Sequence, residues 1–370
     1  MNAVEPVCVG SAMGVLLIAS TLSAQEPPSW SVGEPVAEVS GFAGEGDLAE
    51  LGGVTLLDDG TIVVGDRAEP FLKLFDPSDG SLVGTLGRYG QGPGEYEYLL
   101  GVDWCAPGVL SVEDVDRRVH SYDAEMEWLD TELLTLDAIG GSTGYQRDCH
   151  PNGFRIATGW GDIASQIRTG LYRATGPVVV FRDQTPVARL GERLSSERIG
   201  GRGGSGPHPL GRATRVALGT DRVYVGDGTA YSIEVFDLEG RPLDPVEWTG
   251  PDLAYDDDLV DRLAAAAVEQ APEAARAGLR RRFAELPELE QVPAYDRLLV
   301  SDADELWVRQ FVRPGAVGEH WMVFDRSGAL VGSVELPRRA TLWEVRSDRI
   351  VYSILDEVDV PVIRVSPLGR

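Results

Sequence analysis

The sequence has few positively charged residues relative to negatively charged ones. Its 370 residues include 59 Asp and Glu against 33 Lys and Arg, a formal net charge of −26 at pH 7, and Lys73 is the single lysine. Because phosphate backbones and anionic lipid headgroups are bound by basic surfaces, this balance argues against nucleic acid and acidic membranes as partners. After residue 24 no apolar run approaches the length that crosses a bilayer, so we expect no membrane span in the mature chain.

Motifs for metal binding and nucleophilic catalysis are also missing. The sequence contains no HExxH cluster and no GxSxG elbow. The glycine-rich run at 87–95 lacks the GK[ST] ending of a phosphate loop. The four histidines stand singly along the chain: His120, His150, His208 and His320. We therefore predict no metal and no cofactor, and the sequence carries no catalytic signature.

The N-terminal segment has the pattern of an export signal. Residues 12–22 (AMGVLLIASTL) are apolar but too short to span a bilayer, and Ser23 and Ala24 provide a small-residue cleavage site. The residues before this run contain Glu5 and no Lys or Arg, so an N-terminal anchor is the alternative. We predict a signal peptide over 1–24 and an exported protein, periplasmic or extracellular, whose mature domain spans 25–370.

Short β-rich runs separated by turn residues recur along the rest of the chain. The first set covers 54–57, 61–64, 71–75 and 81–86, with Asp-Gly turns between runs, and further sets begin near 101, 145, 213, 296 and 340. This order predicts an all-β fold, a six-bladed β-propeller of four-stranded antiparallel blades. The last set has only three runs, and we expect the N-terminal strand within 29–40 to complete and close it.

Carboxylates and aromatics repeat with this architecture. The third strand ends in LFD or VFD at 74–76, 235–237 and 323–325, and an Asp ends the second strand of three blades: Asp66, Asp114 and Asp227. We predict that the aromatic packs between blades and that each Asp accepts hydrogen bonds from the backbone of the following turn. These carboxylates are therefore interpreted as structural.

The segments at 57–80 (LDDGTIVVGDRAEPFLKLFDPSDG) and 86–96 (LGRYGQGPGEY) resemble known propellers. They are similar to NHL-repeat-like six-bladed β-propellers, and more closely to an exported bacterial family with a GxGPGEF-type interblade loop. The resemblance implies the fold and export, and it carries over no catalytic residue. Lactonase-type six-bladed propellers hold calcium with axial Asp, Glu and Asn side chains. Here Asn152 is the only asparagine after residue 24, which weakens that interpretation.

The predicted loops are unequal on the two faces of the disc. The turns within blades at one face are short, whereas every long insertion falls on the other, which we call the long-loop face: 87–98, 135–144, 160–170, 191–210, 249–294 and 313–320. Ordering long loops costs entropy without forming a core, so a one-sided excess suggests that this face is used.

From this asymmetry we predict a binding or scaffolding module that presents the long-loop face to a ligand or protein partner, as a monomer. The alternative is a hydrolase or lyase, lactonase-like or NHL-lyase-like, that uses the axial funnel on the same face. Six polar residues neighbour inner strands or top loops and are the candidates to line the funnel: Arg88, Arg147, Arg212, Arg215, Asp302 and Arg309.

The longest insertion, at about 252–290 between blades 4 and 5, is predicted to be helical. Three aspartates at 256–258 favour a helix start, and Pro272 opens a second helix. The pair is interpreted either as a lid or partner surface over the ring, or as a cover for apolar rim surface.

Two cysteines remain after the signal peptide. Cys105 and Cys149 each end the first strand of a blade, in adjacent blades. Equivalent inner-strand positions approach each other near the axis, so we predict a disulfide between them, with two unpaired thiols as the alternative.

Overall fold

The computed structural model describes residues 27–41, 46–135, 137, 144–159, 166–201 and 204–370. The predicted signal peptide, 1–24, lies outside these residues. Regular structure begins with β1 (Ser31–Val32) and β2 (Ala37–Ser40). Sheet 1 follows as β3 (Leu51–Leu56), β4 (Ile62–Asp66), β5 (Leu72–Phe75) and β6 (Leu82–Leu86). A short parallel pair, β7 (Arg88–Tyr89) and β8 (Glu95–Tyr96), occupies the connection to the next sheet.

Five more antiparallel sheets are described. Sheet 2 contains β9 (Leu99–Ala106), β10 (Val109–Asp114), β11 (Arg118–Tyr122) and β12 (Trp128–Leu133). Sheet 3 contains β13 (Gly144–Cys149), β14 (Phe154–Gly159), β15 (Gly170–Arg182), β16 (Thr185–Gly201) and β17 (Gly204–Pro207). Sheet 4 contains β18 (Arg215–Leu218), β19 (Arg222–Gly226), β20 (Ser232–Asp237) and β21 (Pro242–Glu247). Sheet 5 contains β22 (Tyr295–Val300), β23 (Leu306–Gln310), β24 (Gly318–Phe324) and β25 (Leu330–Pro337). Sheet 6 contains β26 (Thr341–Val345), β27 (Arg349–Leu355) and β28 (Pro361–Gly369), joined by β1 and β2.

The sheets are arranged around a central axis. The first strand of each sheet contacts the first strand of the next, and β26 of sheet 6 contacts β3 of sheet 1. Both β1 and β2 pair antiparallel with β28, through Ser31 with Gly369 and Val39 with Ile363, so the N-terminal segment covers an edge that β28 would otherwise expose. This is the all-β architecture of a β-propeller.

The core lies between neighbouring sheets, where the repeated aromatics pack as predicted. Phe75 is fully buried against Val39, Val351 and Ile363 of sheet 6, and Phe324 is fully buried against sheet 4. A fully buried side chain of this size stabilises the fold by roughly 1.5–3 kcal/mol.

The repeated carboxylates bind their own turns, which confirms their structural interpretation. Asp325 Oδ1 accepts hydrogen bonds from the backbone N–H groups of Ser327 and Ala329, at 2.8 and 3.1 Å. At the ends of second strands, the carboxylates of Asp66, Asp114 and Asp227 each accept from the N–H group two residues later.

Sheet 3 differs from the sequence-based expectation. The segment 191–210 was predicted to be a long loop; instead β16 continues to Gly201 and pairs with β17. Two side chains hold Ser205 of β17, because Tyr172 and Arg198 both hydrogen-bond to its Oγ atom, at 2.6 and 3.0 Å. The prediction was wrong because glycine content reports turn preference and not these cross-strand partners.

Two helices lie between β21 and β22: α1 (Asp257–Gln270) and α2 (Glu273–Ala284). Asp256 caps α1 by accepting a hydrogen bond from the Leu259 N–H group at 2.9 Å. Leu259 is fully buried in a cluster with Leu210, Leu289 and Val292, whereas α2 buries no residue. Thus α1 covers apolar surface of the ring, and α2 lies on its outside. In the part of the chain that is described, no helix is long and apolar enough to cross a membrane.

Candidate functional site

A pocket lined by arginines lies at the inner ends of sheets 3, 4 and 5. Its volume is about 540 Å³, and six arginines and one aspartate line it. Four of the arginines come from the first or second strand of a sheet: Arg147 from β13, Arg215 at the start of β18, Arg297 from β22 and Arg309 near the end of β23. The long insertions precede first strands and follow second strands. Arg215 lies at the start of a first strand and Arg309 near the end of a second strand, so the pocket lies toward the long-loop face. We call it the arginine pocket.

Three of the six predicted funnel residues meet in this pocket: Arg147, Arg215 and Arg309. They come from three different sheets: Arg147 from sheet 3, Arg215 from sheet 4 and Arg309 from sheet 5. Arg297 was missed by the sequence prediction. Its signal was a charged residue inside the apolar inner strand YDRLLV, a place where an unpaired charge is costly.

The other three predicted residues lie outside the pocket. Arg88 is 76% exposed and pairs with Glu95 in the β7–β8 connection. Arg212 is buried in an ion pair with Glu197, at 2.6 Å. Asp302 was predicted on the long-loop face, but it follows the end of first strand β22 and so lies at the opposite, short-turn end, where it accepts a hydrogen bond from Ser347 Oγ at 2.8 Å.

Of the four pocket arginines from first or second strands, Arg309 and Arg147 are held by polar neighbours. Arg309 Nε lies 2.6 Å from Asp296 Oδ1 and its Nη1 lies 3.0 Å from Glu319 Oε2. Although burial opposes them, these carboxylates raise the pKa of Arg309. Arg147 Nε donates to Thr158 Oγ1 at 2.6 Å. These contacts fix the direction of both guanidinium groups before any ligand binds.

Arg297 and Arg215 are placed differently. Burial, followed by the charge of Arg309, lowers the pKa of Arg297 to about 10, and its guanidinium lies 5.6 Å from the centre of the Trp343 ring. Burial also lowers the pKa of Arg215, although its side chain is exposed to the solvent in the pocket, which moderates the effect. Both remain cationic at pH 7, so the pocket is a concentration of positive charge.

A second cavity, of about 820 Å³, continues along the axis below the arginine pocket and shares Arg147 and Arg297 with it. Five carboxylates line it: Asp103, Glu113, Asp148, Asp302 and Glu344. We call it the carboxylate cavity. Of these carboxylates, Asp302 was a sequence candidate for the funnel, whereas the other four were not singled out; a carboxylate within a strand was again the available signal.

Burial perturbs three of these carboxyl groups. It raises the pKa of Glu113 to about 8, and, together with the charge of Asp103, it raises the pKa of Asp148 to about 8. Burial and then Glu344 raise the pKa of Asp103 to about 6, although Asp103 stays accessible to solvent in the cavity, which limits this effect. Glu113 and Asp148 therefore hold protons near neutral pH.

Backbone amides and the disulfide hold this region together. Glu113 Oε1 accepts from the Gln146 N–H group at 3.2 Å, and Asp148 Oδ2 accepts from the Leu218 N–H group at 2.9 Å, joining adjacent sheets. Cys105 and Cys149 form a disulfide with Cα atoms 5.0 Å apart. Among the described residues, no three His, Cys, Asp or Glu side chains are placed to hold a metal ion.

Comparison with known proteins gives similarity of fold only. No family model matches the chain, and no curated protein matches its sequence. The chain is similar to a solved protein from Bacteroides fragilis, with 12% identity over 92% of this chain and 94% of that one and a TM-score of 0.48. It is also similar to a DUF4221-family member from Bacteroides vulgatus, with 8% identity, 93% and 99% coverage and a TM-score of 0.49. A third is the calcium-binding protein regucalcin from Agrobacterium tumefaciens, with 13% identity, 91% and 96% coverage and a TM-score of 0.40.

Proposed function

We propose that the chain is an exported, ligand-binding β-propeller and that the arginine pocket on the long-loop face is its binding site. The observation that carries this proposal is the meeting of Arg147, Arg215, Arg297 and Arg309 from three sheets in one pocket. Charged side chains from separate elements that converge on a concave space are typical of binding sites, since gathering like charges does not help the fold.

The finer features of the proposal come from the sequence. We propose that the six sheets are the blades of a monomeric, six-bladed propeller of NHL-like type, that residues 1–24 are removed on export, and that the mature domain spans 25–370. The repeat of first-strand contacts around the axis supports the blade count. The apolar run at 12–22 supports export.

A steric plug tests the location of the site without changing its charge. Ser196 lines the pocket and Ser347 lies at the short-turn end of the axis. We expect compounds that raise the melting temperature of the wild-type chain, in a thermal-shift screen of neutral, cationic and anionic molecules, to lose their effect in Ser196→Trp and to keep it in Ser347→Trp. Compounds that still stabilise Ser196→Trp but fail with Ser347→Trp would place binding at the other end and overturn the proposal.

A further inference from the structure

We infer that the arginine pocket, if it is the binding site proposed above, takes a small molecule through a carboxylate or phosphate group whose oxygens bind Arg215 and Arg297. The pocket opposes the charge of the whole chain. A protein with net charge −26 places only Asp296 among six arginines here: Arg147, Arg193, Arg198, Arg215, Arg297 and Arg309.

The polar contacts of these arginines show which of them are available to a ligand. Arg193 makes a two-pronged pair with Glu234, at 2.6 and 3.0 Å, and Arg309 is held by Asp296 and Glu319. Arg215 and Arg297 have no carboxylate within ion-pair distance among the described residues, although both feel the attraction of Asp296 as well as the repulsion of Arg309.

An oxyanion matches this arrangement chemically. A guanidinium presents parallel N–H donors that fit the two oxygens of a carboxylate or phosphate. Binding such a group between Arg215 and Arg297 would also offset the repulsion between cations that the protein holds close together in a partly desolvated space. A neutral or cationic group would leave that repulsion in place.

Size and surroundings restrict the ligand to a small molecule. The pocket volume of about 540 Å³ lies in the range of small-molecule sites. A polyanion would be repelled by the net charge of −26, whereas a single acid group meets mainly the local arginines. Below the pocket, Asp103 and Glu344 make the axis acidic, so an anion is favoured at the arginine level and not deeper.

Matched probes test the inference. Isothermal titration of the mature chain with glucose, glucuronate and glucose 6-phosphate, and with benzyl alcohol, benzoate and phenyl phosphate, varies the acid group on two fixed frameworks. We expect one or more anions to bind, the neutral members not to bind, and Arg215→Gln and Arg297→Gln each to weaken binding by at least about tenfold. Arg215→Lys keeps the positive charge but loses the forked donors of the guanidinium, so its anion affinity should lie between those of the wild type and Arg215→Gln.

Arg88→Gln is the control, since it removes one positive charge from an exposed arginine outside the pocket. Circular dichroism and melting curves establish that each variant is folded. Equal binding of neutral and anionic members, equal anion binding by wild type and both glutamine variants, or binding by no anion would each overturn this inference.

The proposed function has its own test, because neutral ligands blocked by Ser196→Trp would support a site in the pocket while excluding anion recognition. Preference for carboxylate or for phosphate distinguishes the two sources of the acid group.

Discussion

Arg212 and Arg215 lie three residues apart, yet they belong to two different electrostatic regions. Arg212 is buried against Glu197, with its Nη2 and Nε atoms 2.6 and 3.0 Å from Oε1 and its backbone N–H 2.7 Å from Oε2. Arg215 lines the arginine pocket without a carboxylate at ion-pair distance among the described residues. The difference shows that the nearest partner, and not the residue type, separates a charge that holds the fold from one that is free to bind.

Buried charges away from the axis resemble Arg212. Lys73, the only lysine, is 2% exposed and lies 2.6 Å from Asp66, which also accepts hydrogen bonds from the N–H groups of Ala49, Glu50 and Ala68. Burial opposes ionisation of Asp66, but Lys73 and these amides outweigh it and lower its pKa. Asp114, at the equivalent end of β10, pairs with Arg118.

Charges on the axis are arranged differently. Arg215 and Arg297 lie where first strands start, and Asp103 and Glu113 line the cavity further along the axis. None of these four groups forms an ion pair within the described part of the chain, and burial moves their pKa values toward the neutral form. The partnered charges stabilise the propeller, whereas the axial charges are kept at a cost that a ligand can offset.

The largest expected effect is at Arg212. Arg212→Gln leaves Glu197 buried without its ion-pair partner, so we expect the free energy of unfolding in urea to fall by about 3–5 kcal/mol. Arg241→Gln, which breaks an exposed pair with Asp237, is the control and should leave the urea midpoint unchanged. A loss below about 1 kcal/mol for Arg212→Gln would remove the distinction between partnered and axial arginines.

The disulfide tests whether the two axial cavities are independent. Cys105 and Cys149 are 44 residues apart in sequence and join sheets 2 and 3 beside the carboxylate cavity. Replacing both with Ser should lower the free energy of unfolding by up to about 4 kcal/mol, because the unfolded chain gains entropy. Anion affinity at the arginine pocket should stay within about twofold, since partnered contacts fix Arg309 and Arg147 separately. Two freely alkylated thiols in the unreduced wild-type protein, detected by intact mass, would contradict the bridge itself.

Glu113 should give the stability a pH dependence. Its ordinary pKa of 4.5 rises to about 8 in the folded chain. Between these values the folded protein holds a proton that the unfolded chain has lost, so this contribution to stability is complete below pH 4.5 and is lost as the pH rises toward 8. Glu113→Gln should make the fall in unfolding free energy less steep by up to about 1.4 kcal/mol per pH unit in this window.

The exposed Glu127 supplies the control for that measurement. Urea unfolding of Glu127→Gln at pH 5, 6, 7 and 8 should reproduce the wild-type slope. A Glu113→Gln profile that also follows the wild type would show that Glu113 is ionised throughout.

The smallest expected effect is on the stability of the pocket variant itself. Arg215→Gln removes an arginine that faces solvent in the pocket and has no ion pair with a described carboxylate, so the free energy of unfolding should change by less than about 0.5 kcal/mol. Together with the loss at Arg212, this measurement compares two arginines of the same segment. A loss of several kcal/mol would assign Arg215 to the fold.

The sequence alone determined the strands and much of what stabilises them. Short β-rich runs between Asp-Gly turns predicted the sheets, and the LFD and VFD signature predicted the buried Phe75 and Phe324. The three aspartates at 256–258 predicted the helix start that Asp256 caps. The matching positions of Cys105 and Cys149 led to the pairing that the structure contains. These features depend on neighbours in sequence or on the repeat, so they can be read from one chain.

The tertiary structure alone decided which charges have partners. Arg88, Arg212 and Arg215 look alike as sequence candidates, and their difference comes from Glu95, Glu197 and the neighbouring sheet. The same holds for β17, whose Ser205 hydrogen-bonds to Tyr172 of β15 and Arg198 of β16. Ion pairs and cross-strand hydrogen bonds depend on distances between atoms of remote segments. Only the closing of the sheets around the axis sets those distances, and it brings Arg215 and Arg297 into one pocket.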